Sequence, residues 1–67
     1  MRVVVNGEER ALAPGTTVDA VVRELAGEAV RGVAVALDRE VVPRELWAQT
    51  VLAEGQELEV LHAVAGG

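Results

Sequence analysis

The chain has to build its core almost entirely from aliphatic side chains, because Trp47 is its only aromatic residue. It has 67 residues and no cysteine, so neither a second domain nor a disulfide supports a small core. Hydrophobic residues make up 51% of the sequence, which is enough for a folded domain and too much for a disordered one. Valine recurs along the chain and favours strands. These constraints predict one domain rich in β structure.

The first 15 residues carry the signals of a β-hairpin. Met1–Val5 is a short β-rich run, and Asn6-Gly7 follows it. Asn-Gly is a strong two-residue hairpin signal because both residues tolerate a positive φ. Glu8–Leu12 is then predicted to be the returning strand, and Pro14-Gly15 marks a turn.

A helix is predicted next. Either Thr16 or Thr17 can cap its N-terminus, and Asp19 lies in the first turn, where a negative charge favours the helix dipole. Gly27 is a plausible end. Four apolar residues form one stripe at helical spacing: Val18, Val21, Val22 and Leu25.

The middle of the chain predicts a second pair of strands. Val33–Leu37 is a continuous apolar run, which is typical of a central strand covered on both faces. Asp38-Arg39 can turn it into a short partner at Glu40–Val42. Pro43 cannot continue ladder pairing, and it can begin a short helical turn through Leu46.

The last segments complete the predicted domain. Trp47 is expected to pack over the edge of the core, and Thr50–Leu52 to form a brief extended piece. Glu54-Gly55 marks a turn. Glu57–Leu61 alternates well enough for a final strand, with Leu58 facing inward together with Val60.

This order of elements predicts an α+β roll, in which one helix packs on a mixed sheet of four or five strands. The last strand is expected to pair in parallel with Met1–Val5. The strand after the helix is expected beside the first hairpin, so that the helix has a face to cover. The folded domain is predicted to span residues 1–62, with residues 63–67 as a flexible tail.

The formal net charge of −5 argues against nucleic acid and anionic membranes as partners. No segment reaches the ~18 apolar residues of a membrane span, and the N-terminus has no signal-peptide layout. We therefore expect a cytoplasmic location. No metal site is expected, because a single histidine, His62, and scattered carboxylates form no ligand cluster.

The sequence ends in Gly66-Gly67. Glycine has no Cβ, so such an end can thread a channel too narrow for other residues. From Ala63 to Gly67 the tail could reach roughly 17 Å beyond the domain. An enzyme that builds an acyl-adenylate from ATP needs a bare and mobile carboxylate of this kind.

These features resemble the ubiquitin-like β-grasp sulfur carriers, and within them the ThiS family of thiamine biosynthesis. The Asn-Gly hairpin, the Gly15–Val18 helix start "GTTV" and the Ala63–Gly67 end "AVAGG" occur at the expected places. The segment Val41–Gln49, "VVPRELWAQ", is the sharper marker. The resemblance covers essentially the whole chain.

The resemblance implies a protein substrate with no catalytic residues of its own, rather than an enzyme. A ThiF-type adenylyltransferase would use ATP-Mg²⁺ to adenylate the Gly67 carboxylate. A persulfide sulfur would then displace AMP and leave a thiocarboxylate. A ThiG-type thiazole synthase would take that sulfur. No cofactor would be bound by this chain itself.

Two sets of residues are candidates for contact with a partner. Val64, Ala65 and Gly66 would lie in the partner's channel ahead of Gly67. If Met1, Val3, Val5, Leu58 and Val60 face the core, alternation along the strands turns three residues outward as a docking surface: Val4, Leu61 and Ala63.

Other readings of the sequence remain open. The same chemistry could supply sulfur to molybdopterin, tRNA thiolation or a cysteine pathway. A different class of function is a ubiquitin-like modifier or a plain interaction module. Arg44 and Glu45 could be docking residues or an ordinary solvated pair, and His62 is more simply a solvated strand-end residue than a catalytic one.

Overall fold

The structure is a computed structural model that describes residues 1–62, apart from the side chain of Ala29. Within these residues it contains one α-helix, two short 3-10 helices and a sheet of five strands. The strands are β1 (Arg2–Val5), β2 (Glu8–Ala11), β3 (Val33–Leu37), β4 (Glu40–Val41) and β5 (Glu57–His62). The helix α1 is Val18–Ala26, and the 3-10 helices are Gly27–Gly32 and Arg44–Gln49. The predicted α+β roll with one main helix on a mixed sheet is confirmed.

The sheet has the strand order β2-β1-β5-β3-β4, so β5 lies at its centre. β5 runs parallel to β1, as predicted, and antiparallel to β3. The expectation that the strand after the helix lies beside the first hairpin is wrong, because β5 separates β3 from β1. The helix nevertheless covers all three strands, since Val3, Val35 and Leu58 belong to the same core as its valines.

Both hairpins turn through two residues with positive φ. Asn6 and Gly7 have φ values of 50° and 84°, which confirms the first predicted turn. Asp38 and Arg39 have φ values of 48° and 69° between β3 and β4. β4 ends at Val41, although the backbone N–H of Val42 still donates to the carbonyl of Val35 at 2.8 Å.

Thr17 is the N-cap of α1, which resolves the choice between the two threonines. The Thr17 hydroxyl accepts a hydrogen bond from the backbone N–H of Ala20 at 3.2 Å, whereas the Thr16 hydroxyl donates to the carbonyl of Ala13 at 2.6 Å. Gly27 ends the helix with a φ of 56°. The predicted stripe faces the core, with three valines buried and Leu25 packed against them.

The core lies between α1 and the inner face of the sheet. Among residues 1–62 its buried members are Val3, Val5, Val18, Val21, Val22, Val35, Trp47, Leu52, Leu58 and Val60. The prediction that the Val33–Leu37 strand is covered on both faces is wrong, because Val35 is buried while Ala34 is exposed. The apolar run conceals an alternation in which alanine occupies the outer face.

The segment around Trp47 differs from the prediction in two ways. The helical turn after Pro43 continues past Leu46 and forms the 3-10 helix Arg44–Gln49. The Trp47 side chain is only 2% exposed, so it belongs to the core rather than lying over its edge. Its indole N–H donates to the carbonyl of Val42 at 2.8 Å, which satisfies the one polar atom of the ring. After this helix, Val51 forms a single antiparallel bridge with Thr17.

Candidate functional site

The candidate sulfur-carrying tail lies outside the described residues. Gly66 and Gly67, the channel residues Val64 and Ala65, and the docking candidate Ala63 all belong to this part of the chain. The structure therefore describes the base of the tail, which is the C-terminal end of β5 at His62. The geometry of that base determines what the fold presents to a partner.

The tail base is the end of the central strand. β3 pairs with β5 as far as His62, which lies opposite Val33. On the other side, β1 pairs with β5 only as far as Leu58, opposite Val5. The last four residues of β5 therefore lie beyond the pairing with β1, and on that side the hydrogen bonds come from Asn6.

Asn6 holds the end of β5 on the side where β1 stops. Its backbone N–H donates to the carbonyl of Leu58 at 2.9 Å. Its side-chain oxygen accepts from the N–H of Val60 at 2.8 Å, and its side-chain nitrogen donates to the carbonyl of Val60 at 3.3 Å. The side chain thus continues the hydrogen-bond ladder after the β1 backbone has turned away.

An exposed group of apolar side chains lies on the outer face of the sheet beside the tail base. Leu61 is 59% exposed and lies opposite Ala34, and Val41 is 79% exposed and lies opposite Ala36. Residues directly opposite each other share a face of the sheet. We refer to Ala34, Ala36, Val41 and Leu61 as the outer apolar patch. Such an exposed apolar group next to the base of the tail is a reasonable surface for docking.

The docking candidates identified from the sequence are not all neighbours. Val4 and Leu61 both lie on the outer face, where Val4 is half-buried and Leu61 is exposed. Val4 is opposite Glu57, however, so the two side chains are separated by about 13 Å along β5. The patch residues on β3 and β4 were missed from the sequence, because their position next to Leu61 depends on a strand order that no local pattern specifies.

Carboxylates lie beside the patch on β5 and, farther away, on the first hairpin. Glu57 and Glu59 are exposed on β5, and Glu9 lies opposite Val4. Arg2 pairs with Glu9 at 2.9 Å, so one of these charges is locally balanced. An outer face with an apolar group and flanking carboxylates suits a partner with an apolar surface and a basic rim.

The other polar residues that the sequence singled out lie apart from one another. His62 is exposed at the end of β5, while Arg44 lies on the second 3-10 helix with its guanidinium carbon 6.0 Å from the centroid of the Trp47 ring. Glu45 is exposed on the same helix. Across residues 1–62, no three histidine, aspartate or glutamate side chains are grouped as metal ligands. In the same part of the chain, no helix is long and apolar enough to cross a membrane.

Comparison with known proteins gives consistent matches. A sequence-family model described as the ThiS family matches residues 3–67. The "Sulfur carrier protein ThiS" of Escherichia coli is 31% identical over 67 residues, which is the whole of both chains. A "Thiazole synthase" of Paramagnetospirillum magneticum is 40% identical over the whole of this chain, which spans only 20% of that protein's length.

The fold comparison agrees. The crystal structure of a thiamine biosynthesis protein, ThiS, from Geobacter metallireducens superposes with a TM-score of 0.83 and 29% sequence identity. Each chain is covered over its full length. The likeness therefore includes the complete sheet, with the central strand that leads to the tail.

Proposed function

Since the chain belongs to the ThiS family of sulfur carrier proteins, we propose that it carries the sulfur for thiamine thiazole synthesis on the carboxylate of Gly67. One observation carries this proposal: the family match runs through residue 67 and so includes both terminal glycines. The described fold supports it, because the central strand leads directly to those residues.

The proposed chemistry begins with activation of Gly67. A ThiF-type adenylyltransferase binds the chain and uses ATP-Mg²⁺ to convert the carboxylate to an acyl-adenylate, with release of pyrophosphate. Sulfide then attacks the acyl carbon and displaces AMP, which leaves a thiocarboxylate. A carboxylate oxygen is a poor leaving group, and adenylation replaces it with a good one. ATP and the metal ion belong to the partner, and this chain acts as a substrate rather than as an enzyme.

We assign two surfaces to the activating partner. The outer apolar patch and Val4 face the partner's body, and residues 63–67 enter its channel. Glycine at positions 66 and 67 leaves backbone without side chains where the channel is narrowest. Leu61 is the patch residue that belongs to β5 itself, so contact there also fixes where the tail starts.

The thiocarboxylate is then used by a ThiG-type thiazole synthase. Support comes from the Paramagnetospirillum relative, which is named as a thiazole synthase and includes a segment similar to this chain. We propose a cytoplasmic location, where ATP is available for this reaction. Growth of a gene-deletion strain tests the pathway: growth should require added thiazole, and normal growth without it would assign the sulfur to another product.

Removing Gly67 tests the activation step. The shortened chain ends about 3.5 Å closer to the domain, so its carboxylate should not reach the adenylation site. With a ThiF-type enzyme, we expect ATP–pyrophosphate exchange to fall to the level of the enzyme alone. The urea midpoint should stay unchanged, because no described core residue is altered.

Gly67→Ala is the matched control, since it preserves the length and the carboxylate and adds only a Cβ. We expect exchange that is reduced but measurable. Exchange by the shortened chain at the rate of the unaltered chain would show that Gly67 is not the activated residue.

A further inference from the structure

We propose that Asn6 is a positioning residue for the tail: its side-chain amide fixes Val60 and thereby holds the end of the strand from which the chain continues to Gly67. This inference rests on the proposed function, since it concerns presentation of the carboxylate that is adenylated. Asn6 is otherwise a turn residue, and the turn alone explains its backbone but not its side-chain contacts.

On the side towards the tail, β5 continues beyond its parallel neighbour β1. β5 extends to His62, whereas its pairing with β1 ends at Leu58. The chain cannot continue along β5 after Val5, because Asn6 and Gly7 both have positive φ and lead into β2. Without another partner, the end of β5 would be held on the β3 side alone.

The side-chain amide of Asn6 bonds to both backbone polar groups of Val60. Asn6 Oδ1 accepts from the N–H of Val60 at 2.8 Å, and Asn6 Nδ2 donates to its carbonyl at 3.3 Å. These two contacts reproduce what a strand residue would provide. Asparagine tolerates a positive φ and also carries one donor and one acceptor side by side, so it meets both requirements. Aspartate could accept from the N–H but would place a second acceptor against the carbonyl.

Val60 lies close to the base of the tail, two residues before the last described residue, His62. Val60 is buried on the inner face, and its backbone is held by Asn6 on the side away from β3. Fixing this point limits sideways movement of the strand from which the tail extends. A fixed strand end restricts the positions from which the tail starts, and so increases the fraction of time that the Gly67 carboxylate is in place. Placement matters because displacement of a reacting group by about 1 Å can reduce a rate about 100-fold.

The second hairpin provides a matched comparison. Asp38 is the first turn residue of the β3–β4 hairpin, with a φ of 48° close to the 50° of Asn6. Its side chain also bonds to β5, because Oδ1 accepts from the N–H of Glu57 at 2.9 Å. Asp38 therefore holds the start of β5, at the end opposite to the tail. Loss of either side chain removes support from the same strand, but only Asn6 lies next to the tail base.

The experiment compares Asn6→Gly, Asn6→Asp and Asp38→Gly with the unaltered chain. All three substitutions suit a positive φ, so both turns are retained. Adenylation by a ThiF-type enzyme is measured as kcat and KM, together with thermal midpoints and amide hydrogen exchange at Val60. The hydrogen exchange needs no partner and reports on the contact directly.

We expect Asn6→Gly to lower kcat about tenfold with little change in KM, because docking is preserved while the carboxylate is less often in place. Exchange at Val60 should become faster in the same variant. Asn6→Asp should also lower kcat, since it loses the donor to the Val60 carbonyl. Asp38→Gly should lower the thermal midpoint comparably and leave both kcat and exchange at Val60 near the values of the unaltered chain.

An unchanged kcat in both Asn6 variants, or an equal fall in kcat for Asn6→Gly and Asp38→Gly, would overturn the positioning role. The failure of the proposed function has a different signature, since the unaltered chain would then not be adenylated at all. That result would overturn both the proposed function and the positioning role of Asn6 in adenylation.

Discussion

At the scale of single residues, Trp47 contributes a buried hydrogen-bond donor to the core, which aliphatic side chains cannot supply. It is the largest buried side chain among residues 1–62, and its indole N–H satisfies the carbonyl of Val42 at 2.8 Å. That carbonyl belongs to the residue before Pro43, so the contact joins the end of the β3–β4 hairpin to the second 3-10 helix. Trp47 therefore holds the connection between β4 and the second 3-10 helix in place, and its ring also fills core volume.

Trp47→Phe should separate these two contributions. A phenyl ring remains in the core, but the donor and part of the indole volume are lost, so we expect the free energy of unfolding to fall by about 1–3 kcal/mol. Trp47→Ala should cost about 3–5 kcal/mol, because the cavity is added. Arg44→Gln is the control, since it removes only the exposed guanidinium near the ring and should cost at most about 1 kcal/mol. Urea unfolding measures all three, and a Phe variant as stable as the unaltered chain would exclude the hydrogen bond as a contributor.

Local sequence signals predicted the backbone conformation better than they predicted the long-range contacts. The Asn-Gly pair predicted the first turn, because a two-residue hairpin depends on neighbouring residues. The contact of the Asn6 side chain with Val60 was not predicted, since it joins residues 54 positions apart. Trp47 shows the same limit: its residue type indicated a packing role, while its depth in the core depended on the path of the surrounding chain.

At the scale of elements, the strands show what alternation can and cannot reveal. In β5, charged residues alternate with Leu58 and Val60, so the buried face was readable from the sequence. In β3, the outer positions are Ala34 and Ala36, and their apolar character concealed the alternation. Half of the outer apolar patch therefore lay within a run that resembled a strand buried on both sides.

The outer apolar patch yields a prediction for docking. Leu61→Glu should raise the KM for adenylation about tenfold, because a charge replaces an exposed apolar contact at the centre of the proposed interface. Stability should change by no more than about 0.5 kcal/mol, since the side chain is 59% exposed.

Val51→Glu is the matched control for Leu61→Glu. Val51 is 56% exposed but lies beside Thr17 at the start of α1, outside the sheet. For the Val51→Glu variant, the KM for adenylation should stay near that of the unaltered chain. Equal effects of the two substitutions would indicate a general response to added negative charge instead of docking at the outer face.

At the scale of the whole molecule, the order of elements was sufficient to predict the fold. A hairpin, a helix, two further strands and a last strand parallel to the first define this roll, and the structure contains each of them. The position of β5 between β1 and β3 was only partly predicted, because strand order is decided by packing across the complete sheet. The functional assignment came from the C-terminal tail and the Val41–Gln49 segment. Fold and packing alone do not indicate that these two segments belong to one function.

In the proposed function, the folded domain presents one chemically active end. β5 lies at the centre of the sheet, its start is held by Asp38 and its end by Asn6, and the outer apolar patch lies beside that end. These features concern recognition and placement. In the proposed function, ATP, metal and sulfur are supplied by the partners. The central claim is therefore chemical and concerns the Gly67 carboxylate.

Intact-mass spectrometry of the chain after incubation with ATP, Mg²⁺, sulfide and a ThiF-type adenylyltransferase tests this claim most directly. We predict a mass gain equal to the replacement of one oxygen by sulfur, located by fragmentation at Gly67 and absent when ATP is omitted or Gly67 is deleted. An unchanged mass in a folded sample, with an enzyme that activates its own carrier under the same conditions, would contradict the account.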